Sequence, residues 1–267
     1  MTLFQAIVLG IVQGLAELLP ISSSAHLALV PYFFGWKDPG LAFDVALHAG
    51  TLLALSWYFR DEWGRMFVSA WRIATRRRVE TTDDRMLVYL VVATIPAAIA
   101  GVLLNDYAET VFRAPAIMGT TLIVMGVVLW AIDRQAARVR TLSEITLRDA
   151  VIVGFAQVLA LVPGVSRSGS TMTAGRLLQL DRPTAARFSF LMSMPITLAA
   201  VVLKAPEALR ADGFSLPLAA GVLAAAVSSI LAITVLLRYV SRHSFGIFAL
   251  YRIVLGAVVF ATIASRA

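Results

Sequence analysis

Two short polar stretches carry the residues best suited to chemistry. The first, AELLPISSSAH (16–26), places the carboxylate of Glu17 and the imidazole of His26 on either side of a proline and three serines. The second, VPGVSRSGST (162–171), surrounds Arg167 with three serines and a threonine. Carboxylate, imidazole and hydroxyl groups supply bases and nucleophiles, and arginine offers a two-point donor for phosphate oxygens. We interpret the two stretches as halves of one phosphate site.

The helices that must position these groups can be inferred from spacing. Gln13 and Glu17 are four residues apart and share a helix face, and Pro20 ends that helix. Residues 22–24 can cap the next helix, and residues 166–171 are expected to do the same in the second stretch. Helix N-termini offer free N–H groups and a partial positive charge, so two that face each other form an anion cradle. The side chains that would add donors to this cradle are Ser22, Ser166, Arg167, Ser168 and Thr171.

The composition favours a membrane protein. Hydrophobic residues make up 59% of the 267 residues and charged residues only 15%. The runs 86–104, 115–132 and 216–237 carry no charge, and each is about long enough to cross the roughly 30 Å hydrocarbon core of a bilayer. A soluble enzyme accounts for one such run but not for several. The chain has no cysteine, which excludes thiolate chemistry, and we attribute its net charge of +7 to topology and anionic lipid rather than to nucleic acid.

Six segments are predicted to span the membrane, and two are not. The spans are 41–59, 86–104, 115–132, 186–204, 216–237 and 245–263. Segments 3–33 and 149–180 each stop at a proline, pass through a serine-rich turn and resume. We predict that both are re-entrant helix–turn–helix hairpins, because irregular backbone at membrane depth is tolerated only where it is buried or lines a cavity.

The two hairpins begin two similar halves of the chain. GIVQGLAELLPISSS (10–24) aligns with GFAQVLALVPGVSR (154–167) after a one-residue gap. FDVALHAGTLLAL then aligns with FSFLMSMPITLAA, and Gly126 falls opposite Gly256. One hairpin and three crossings in each half invert the second half relative to the first. The sequence therefore predicts an all-α polytopic membrane protein with an inverted-topology repeat. It forms one membrane domain, 1–267, with halves at about 1–140 and 141–267.

Charge predicts the orientation in the membrane. Sixteen arginines fall in the loops of one side, against five lysines and arginines on the other. The positive-inside rule places both termini outside the cytoplasm. No basic residue precedes Lys37, so we expect the first segment to remain in the protein rather than to be cleaved as a signal peptide.

Ionisable groups at membrane depth are costly, about 2.5–3.5 kcal/mol each on insertion scales, and each needs an explanation. Glu17 and Arg167 form either a structural ion pair or part of a site. His26 is either a core histidine or functional, and Asp44 lies either at a solvated span end or in the protein. Arg252 is expected to snorkel or to bind helix-end carbonyls. His48 and His243 receive no role, and Ser228 and Ser229 are expected to bond their own or a neighbouring helix.

The motifs resemble those of a known family. QGLAE (13–17), LPISSSAH (19–26) and PGVSRSGST (163–171) are similar to the glutamate-rich, serine–histidine and PGxSRSxxT motifs of the bacitracin-resistance type undecaprenyl-pyrophosphate phosphatases. FDVALHAGT, FSFLMSMP and the YR pair at 251–252 also resemble that family, so the resemblance covers essentially the whole chain.

The resemblance implies a reaction and a setting. The enzyme would remove the terminal phosphate of undecaprenyl pyrophosphate, which recycles the lipid carrier for peptidoglycan synthesis and gives bacitracin resistance. It implies an inverted-repeat fold in the bacterial cytoplasmic (inner) membrane, an outward-facing site, a divalent cation (Mg²⁺ or Ca²⁺) and a homodimer. The alternative is a secondary transporter or flippase for an organic anion or lipid phosphate.

The resemblance also assigns roles to residues. The functional positions that it carries over are Glu17, Ser23, His26, Ser166, Arg167 and Thr171. Glu17 would be the base or hold the cation, Arg167 would stabilise the transition state, and the nucleophile would be Ser23, His26 or water. The chain departs from the family at Gln13, where many members have a second glutamate, and at Ala25, where glycine is frequent. Gln13 weakens a two-carboxylate cation site, since an amide binds a hard cation less strongly than a carboxylate.

Overall fold

The computed structural model describes residues 1–104, 111–212 and 215–266, and the described chain is helical with no β-strand. Its α-helices are α1 (Leu3–Leu18), α2 (Ser23–Phe34), α3 (Leu41–Tyr58), α4 (Arg60–Arg76), α5 (Thr82–Leu103), α6 (Pro115–Gln135), α7 (Leu147–Val158), α8 (Arg167–Leu177), α9 (Arg182–Asp212), α10 (Leu216–Val240) and α11 (Gly246–Arg266). This confirms the expected all-α fold.

Five of the six expected spans are confirmed. Among the described residues, five helices are long and apolar enough to cross a membrane: α5, α6, α9 as far as Lys204, α10 and α11. The sixth expected span, 41–59, forms α3, which is not one of the five. Helix α4 between α3 and α5 is amphipathic and carries basic residues, and it buries Met66 and Ser69 while exposing Phe67 and Trp71.

Both expected hairpins are pairs of packed helices. In the first, α1 begins at a Thr2 capping box, and α2 ends at Gly35, whose φ of +65° is the left-handed conformation that glycine adopts readily. In the second, α7 begins at a Thr146 capping box and passes through a short 3-10 turn, Leu159–Leu161, before α8. Neither arm of either hairpin is long enough to cross a bilayer, as a re-entrant structure requires.

The helices pack in two equivalent sets. Hairpin helix α1 lies against α10, and α7 lies against α5, while α3 contacts α9 and α6 contacts α11. The close approach is made at equivalent glycines: a Cβ at Gly10 would lie 2.2 Å from the Gly221 carbonyl oxygen, and one at Gly154 would lie 2.7 Å from that of Ala93. This packing supports the inverted repeat. The division into halves near residue 140 stays a prediction.

The serine turns correct the alignment of the two halves. Ser22 caps α2 and Ser166 caps α8, and both have positive φ, +76° and +71°. The spacing from Gly10 to Ser22 equals that from Gly154 to Ser166, so the one-residue gap placed between the halves is wrong. The gap aligned the two prolines, but the caps and the packing glycines are what the two turns share.

A buried ion cluster fixes the far end of α8. Asp133 of α6 accepts hydrogen bonds from Arg176 (2.9 Å) and Arg182 (2.8 Å) and from the backbone N–H of Phe245 (3.0 Å). The cluster joins α6, α8, α9 and the start of α11. Two arginines counted above as loop charges, Arg176 and Arg182, are therefore buried and paired.

Candidate active site

The turns of the two hairpins touch each other directly. The backbone N–H of Gly164 donates to Ser22 Oγ at 2.9 Å, and Ser168 Oγ donates to the Leu19 carbonyl at 2.8 Å. Ser22 Oγ also caps α2, and Ser166 Oγ accepts the N–H of Gly169 at 3.0 Å to cap α8. The structure therefore brings the two N-termini together, as the sequence predicted.

Arg252 of α11 joins the turns from behind. Its guanidinium is fully buried and donates to the carbonyl oxygens of Pro20 (3.2 Å), Gly164 (2.8 Å) and Val165 (2.8 Å). A Cβ at Gly169 would lie 2.6 Å from Arg252 Nη1, so glycine leaves room for the guanidinium. Of the two roles considered above, snorkelling is wrong and carbonyl binding is confirmed.

Glu17 is the centre of the site. Its Oε1 accepts a hydrogen bond from Arg167 Nη2 at 2.6 Å, and its Oε2 accepts one from the Ser23 hydroxyl. The Glu17 side chain is only 7% exposed and that of Arg167 12%. Three groups from three helices thus meet at a largely buried position: a carboxylate that can act as a base, a hydroxyl, and a guanidinium that can donate two hydrogen bonds.

Two more side chains reach the same carboxylate. His48 Nε2 of α3 lies 3.2 Å from Glu17 Oε2, and Gln13 Nε2 lies 3.4 Å from that atom. Gln13 is fully buried, and its Oε1 has no hydrogen-bond partner. The i, i+4 pairing of Gln13 with Glu17 is confirmed, whereas the contact of His48 with Glu17 was missed.

Arg167 and Thr171 are both tied to α9. Arg167 Nη1 donates to the Ser189 carbonyl at 3.1 Å. Thr171 Oγ1 donates to the Arg167 carbonyl at 2.8 Å and lies 2.7 Å from Ser189 Oγ. Thr171 is 1% exposed, and these bonds favour support of Arg167 rather than direct phosphate contact. Ser168, also 1% exposed, is engaged with the opposite turn. Phosphate binding by Ser22, Ser166, Ser168 and Thr171 stays a prediction.

The ring nitrogens of His26 contact the Ser22 carbonyl and Tyr251 of α11. Its Nδ1 lies 2.6 Å from the Ser22 carbonyl, which can only accept, so Nδ1 carries the hydrogen. Nε2 of the neutral ring then accepts from the Tyr251 hydroxyl at 2.7 Å, and the two rings are stacked. His26 is partly buried and hydrogen-bonded on both sides, and in this arrangement neither ring nitrogen is free to attack a phosphate.

Asp44 lies beside the site rather than at a solvated helix end. Its side chain is 4% exposed, and its Oδ2 accepts from Arg113 Nη1 at 3.0 Å. Arg113 also binds Asp38. The solvated interpretation of Asp44 is therefore wrong, because a cation from the segment before α6 covers the carboxylate. The structural interpretation of Ser228 and Ser229 is confirmed: Ser228 bonds the Ala224 carbonyl, and Ser229 bonds Gly14 of α1.

Three neighbours of the site received no role from the sequence, namely His48, Ser189 and Tyr251. Each lies inside a stretch that resembles the family, FDVALHAGT, FSFLMSMP or the YR pair, and this was the available signal. The spacing of residues gave none, since Tyr251 is 225 positions from the histidine that it contacts.

The residues around Glu17 fit a cation only in part. The described residues hold no group of three or more His, Asp or Glu side chains that could bind a metal ion. Mg²⁺ is frequently held by one carboxylate together with substrate phosphates, rather than by protein ligands alone. Glu17 and the unpaired Oε1 of Gln13 fit that smaller role.

The fold and the site define a class: a multi-pass helical membrane protein whose two hairpin turns enclose an acid, a hydroxyl and an arginine suited to phosphate chemistry. The comparison with known families agrees. Residues 6–258 match the family of the bacitracin resistance protein BacA, and the chain belongs to that family.

Relatives match along the full length. An undecaprenyl-diphosphatase of Gemmatimonas aurantiaca is 74% identical, over 100% of both chains. Proteins of the same name from Pelotomaculum thermopropionicum and Moorella thermoacetica are 48% and 51% identical, each over 98% or more of both chains.

Proposed function

We propose that the protein hydrolyses undecaprenyl pyrophosphate to undecaprenyl phosphate and inorganic phosphate, the activity that the names of its relatives state. The observation that carries this proposal is the hydrogen bond from the Ser23 hydroxyl to Glu17, whose other oxygen binds Arg167. A hydroxyl that already donates to a carboxylate is a nucleophile with its base in place.

In the first step, Ser23 Oγ attacks the terminal phosphorus, and its proton passes to Glu17 Oε2. A bond forms between Ser23 Oγ and phosphorus, the bridging P–O bond breaks, and undecaprenyl phosphate leaves as an anion. Arg167 and the first-turn N–H groups of α2 and α8 hold the oxygens of the transferred phosphoryl group, where negative charge must be neutralised. The N–H of Gly164, which binds Ser22 Oγ, holds the second turn against the first.

In the second step, water releases the phosphate from Ser23. Glu17 first gives its proton to the undecaprenyl phosphate that has left or to solvent, and then takes one from the attacking water. The Ser23–phosphorus bond breaks as the water oxygen bonds to phosphorus, and Glu17 passes the proton to Ser23 Oγ. We favour Ser23 over His26 as nucleophile because both ring nitrogens of His26 are engaged, with the Ser22 carbonyl and the Tyr251 hydroxyl.

A divalent cation remains a proposal. Mg²⁺ or Ca²⁺ brought in with the pyrophosphate would be held by Glu17 and Gln13 Oε1, and would neutralise charge on the phosphate oxygens. A secondary transporter or flippase would need the anion site but not a hydroxyl paired with a carboxylate, so the Ser23–Glu17 pair favours the enzyme.

We also propose that the protein lies in the bacterial cytoplasmic membrane with both termini and the active site facing outward. The loop charges support this orientation. A reporter fused after Ala267 should read outside the cytoplasm, and one inserted near Arg77 should read inside. Both reporters on one side would contradict the inversion. A homodimer is proposed from the family resemblance alone, and the mass of the protein in detergent tests it.

Phosphate release by the purified protein tests the function. In detergent micelles no gradient exists, so only chemistry contributes. Long-chain polyprenyl pyrophosphate should yield inorganic phosphate, and a chelator should slow the release. Background release with divalent metal present would contradict the enzyme and favour the transporter. Full turnover in the presence of chelator would contradict only the proposal of a divalent cation.

A further inference from the structure

The carboxylate of Glu17 has to stay aligned with Ser23 when phosphate arrives, and Arg167 alone does not secure this. Arg167 Nη2 holds Glu17 Oε1 at 2.6 Å. On the proposed function, the same guanidinium must give donors to the phosphate oxygens. Glu17 therefore needs another donor on the oxygen that takes the proton, and Gln13, at 3.4 Å, is a weak one.

We propose that His48 is a positioning residue that holds Glu17 Oε2 in line with the Ser23 hydroxyl. This inference rests on the proposed function. His48 Nε2 lies 3.2 Å from Oε2, the oxygen that Ser23 contacts. His48 comes from α3, whereas Glu17 is on α1 and Ser23 on α2, so the contact fixes the carboxylate relative to a third helix.

The imidazole is itself fixed on its helix. His48 Nδ1 lies 2.7 Å from the carbonyl oxygen of Asp44, one turn earlier, and donates to it because a carbonyl only accepts. Since Nε2 faces the Glu17 carboxylate, which also accepts, the ring donates from both nitrogens as the imidazolium and forms an ion pair with Glu17. Asp44 is held in turn by Arg113 at 3.0 Å. The ring therefore cannot swing away from Glu17 without breaking the Nδ1 bond. At 21% exposure, the His48 side chain is also the more open partner of the His48–Glu17 pair.

Two neutral substitutions separate the two ring nitrogens. In His48→Gln the amide reaches about as far as Nε2 and can still donate to Glu17. In His48→Asn the amide lies near the place of Nδ1, so it keeps the Asp44 contact but falls short of Glu17. Both variants remove the imidazole and any charge on it, and they differ in whether a donor reaches the carboxylate.

The experiment measures kcat and KM for polyprenyl pyrophosphate in detergent, with melting temperature as a check on folding. We expect His48→Gln to stay within about threefold of wild type, and His48→Asn to lose about 10-fold to 100-fold in kcat with little change in KM, since small misplacements of reacting groups cost that much. If the Asn variant does not fold, His48→Ala replaces it, and the same loss is expected.

Each outcome decides the question. A kcat in His48→Gln well above that in His48→Asn supports the positioning role, which packing alone would not produce. The positioning role is overturned if the two variants have equal kcat, whether near that of wild type or both lowered, or if His48→Gln has the lower kcat. If the wild-type protein itself releases no phosphate, the proposed function is contradicted instead, so the two failures are distinguishable.

Discussion

Ser22 and Ser166 hold the same unusual backbone conformation at the tips of two different hairpins, with φ of +76° and +71°. Non-glycine residues seldom adopt positive φ, and such strain is concentrated at functional sites. Each serine is followed by the first residue of the second helix of its hairpin, Ser23 in one and Arg167 in the other. The same backbone conformation thus places a hydroxyl from one half and a guanidinium from the other against a single carboxylate, Glu17.

Replacement of Ser23 tests the nucleophile. Ser23→Ala should lose phosphatase activity by about 10³-fold or more, because it removes the attacking oxygen. The matched control is Ser24→Ala, whose hydroxyl contacts Ser22 Oγ and not Glu17. Phosphate release and melting temperature are the measurements. If the Ser23 variant keeps substantial turnover, attack by His26 or by water replaces attack by the serine.

Replacement of Arg167 tests the two-point contact. Arg167→Lys should remain folded but lose about 10²-fold or more in turnover, since an ammonium cannot donate to Glu17, the Ser189 carbonyl and phosphate from one planar group. Arg187→Lys is the control, because Arg187 pairs with Glu62 at a more exposed position. Near-normal kcat in Arg167→Lys would leave only a structural ion pair with Glu17.

Replacement of Arg252 tests the link between the turns. Arg252→Met leaves three buried carbonyl oxygens without their donor, and each unsatisfied group costs about 1–3 kcal/mol. A melting temperature lower by several degrees is expected, together with loss of activity. Arg266→Met, on the same helix but exposed, should change stability little. An unchanged melting temperature in Arg252→Met would show that the turns hold together without it.

The packing glycines test the repeat. Gly10→Ala and Gly154→Ala should both lower the melting temperature, because each added methyl meets backbone of the facing helix at 2.2 Å or 2.7 Å. Gly64→Ala is the control on α4, where a Cβ meets nothing within 4 Å, and it should be neutral or stabilising by up to about 1 kcal/mol. Destabilisation in only one of the two halves would contradict equivalent packing.

Much of this fold follows from local sequence. Long uncharged segments predicted the spans, and apolar segments interrupted by a proline and serines predicted the hairpins. Both predictions rest on the requirement that a chain in lipid must satisfy its backbone hydrogen bonds internally. Polar groups inside apolar stretches pointed to Glu17 and Arg167, since their cost in a membrane demands partners. These inferences needed only neighbouring residues and the properties of a bilayer.

Contacts between distant helices could not be predicted in the same way. No pattern in the residues around His48 or Tyr251 predicts which side chain each contacts. Each contact forms only when α3 or α11 packs against the hairpins. Arg252 looked like a helix-end residue because its burial is set by the two turns, which lie far away in sequence. The wrong gap in the alignment of the two halves came from matching Pro20 with Pro163. When the capping serines are matched instead, Pro20 is equivalent to Gly164, the residue after Pro163.

The stereochemical course at the terminal phosphorus tests the central claim most directly. Attack by Ser23 followed by attack of water makes two in-line displacements, and each inverts the configuration at phosphorus. Hydrolysis of a polyprenyl pyrophosphate with an isotopically chiral terminal thiophosphate, in labelled water, should therefore give thiophosphate with net retention. Net inversion would mean that water attacks the phosphorus directly, and would contradict the role of Ser23 as nucleophile with Glu17 as its base.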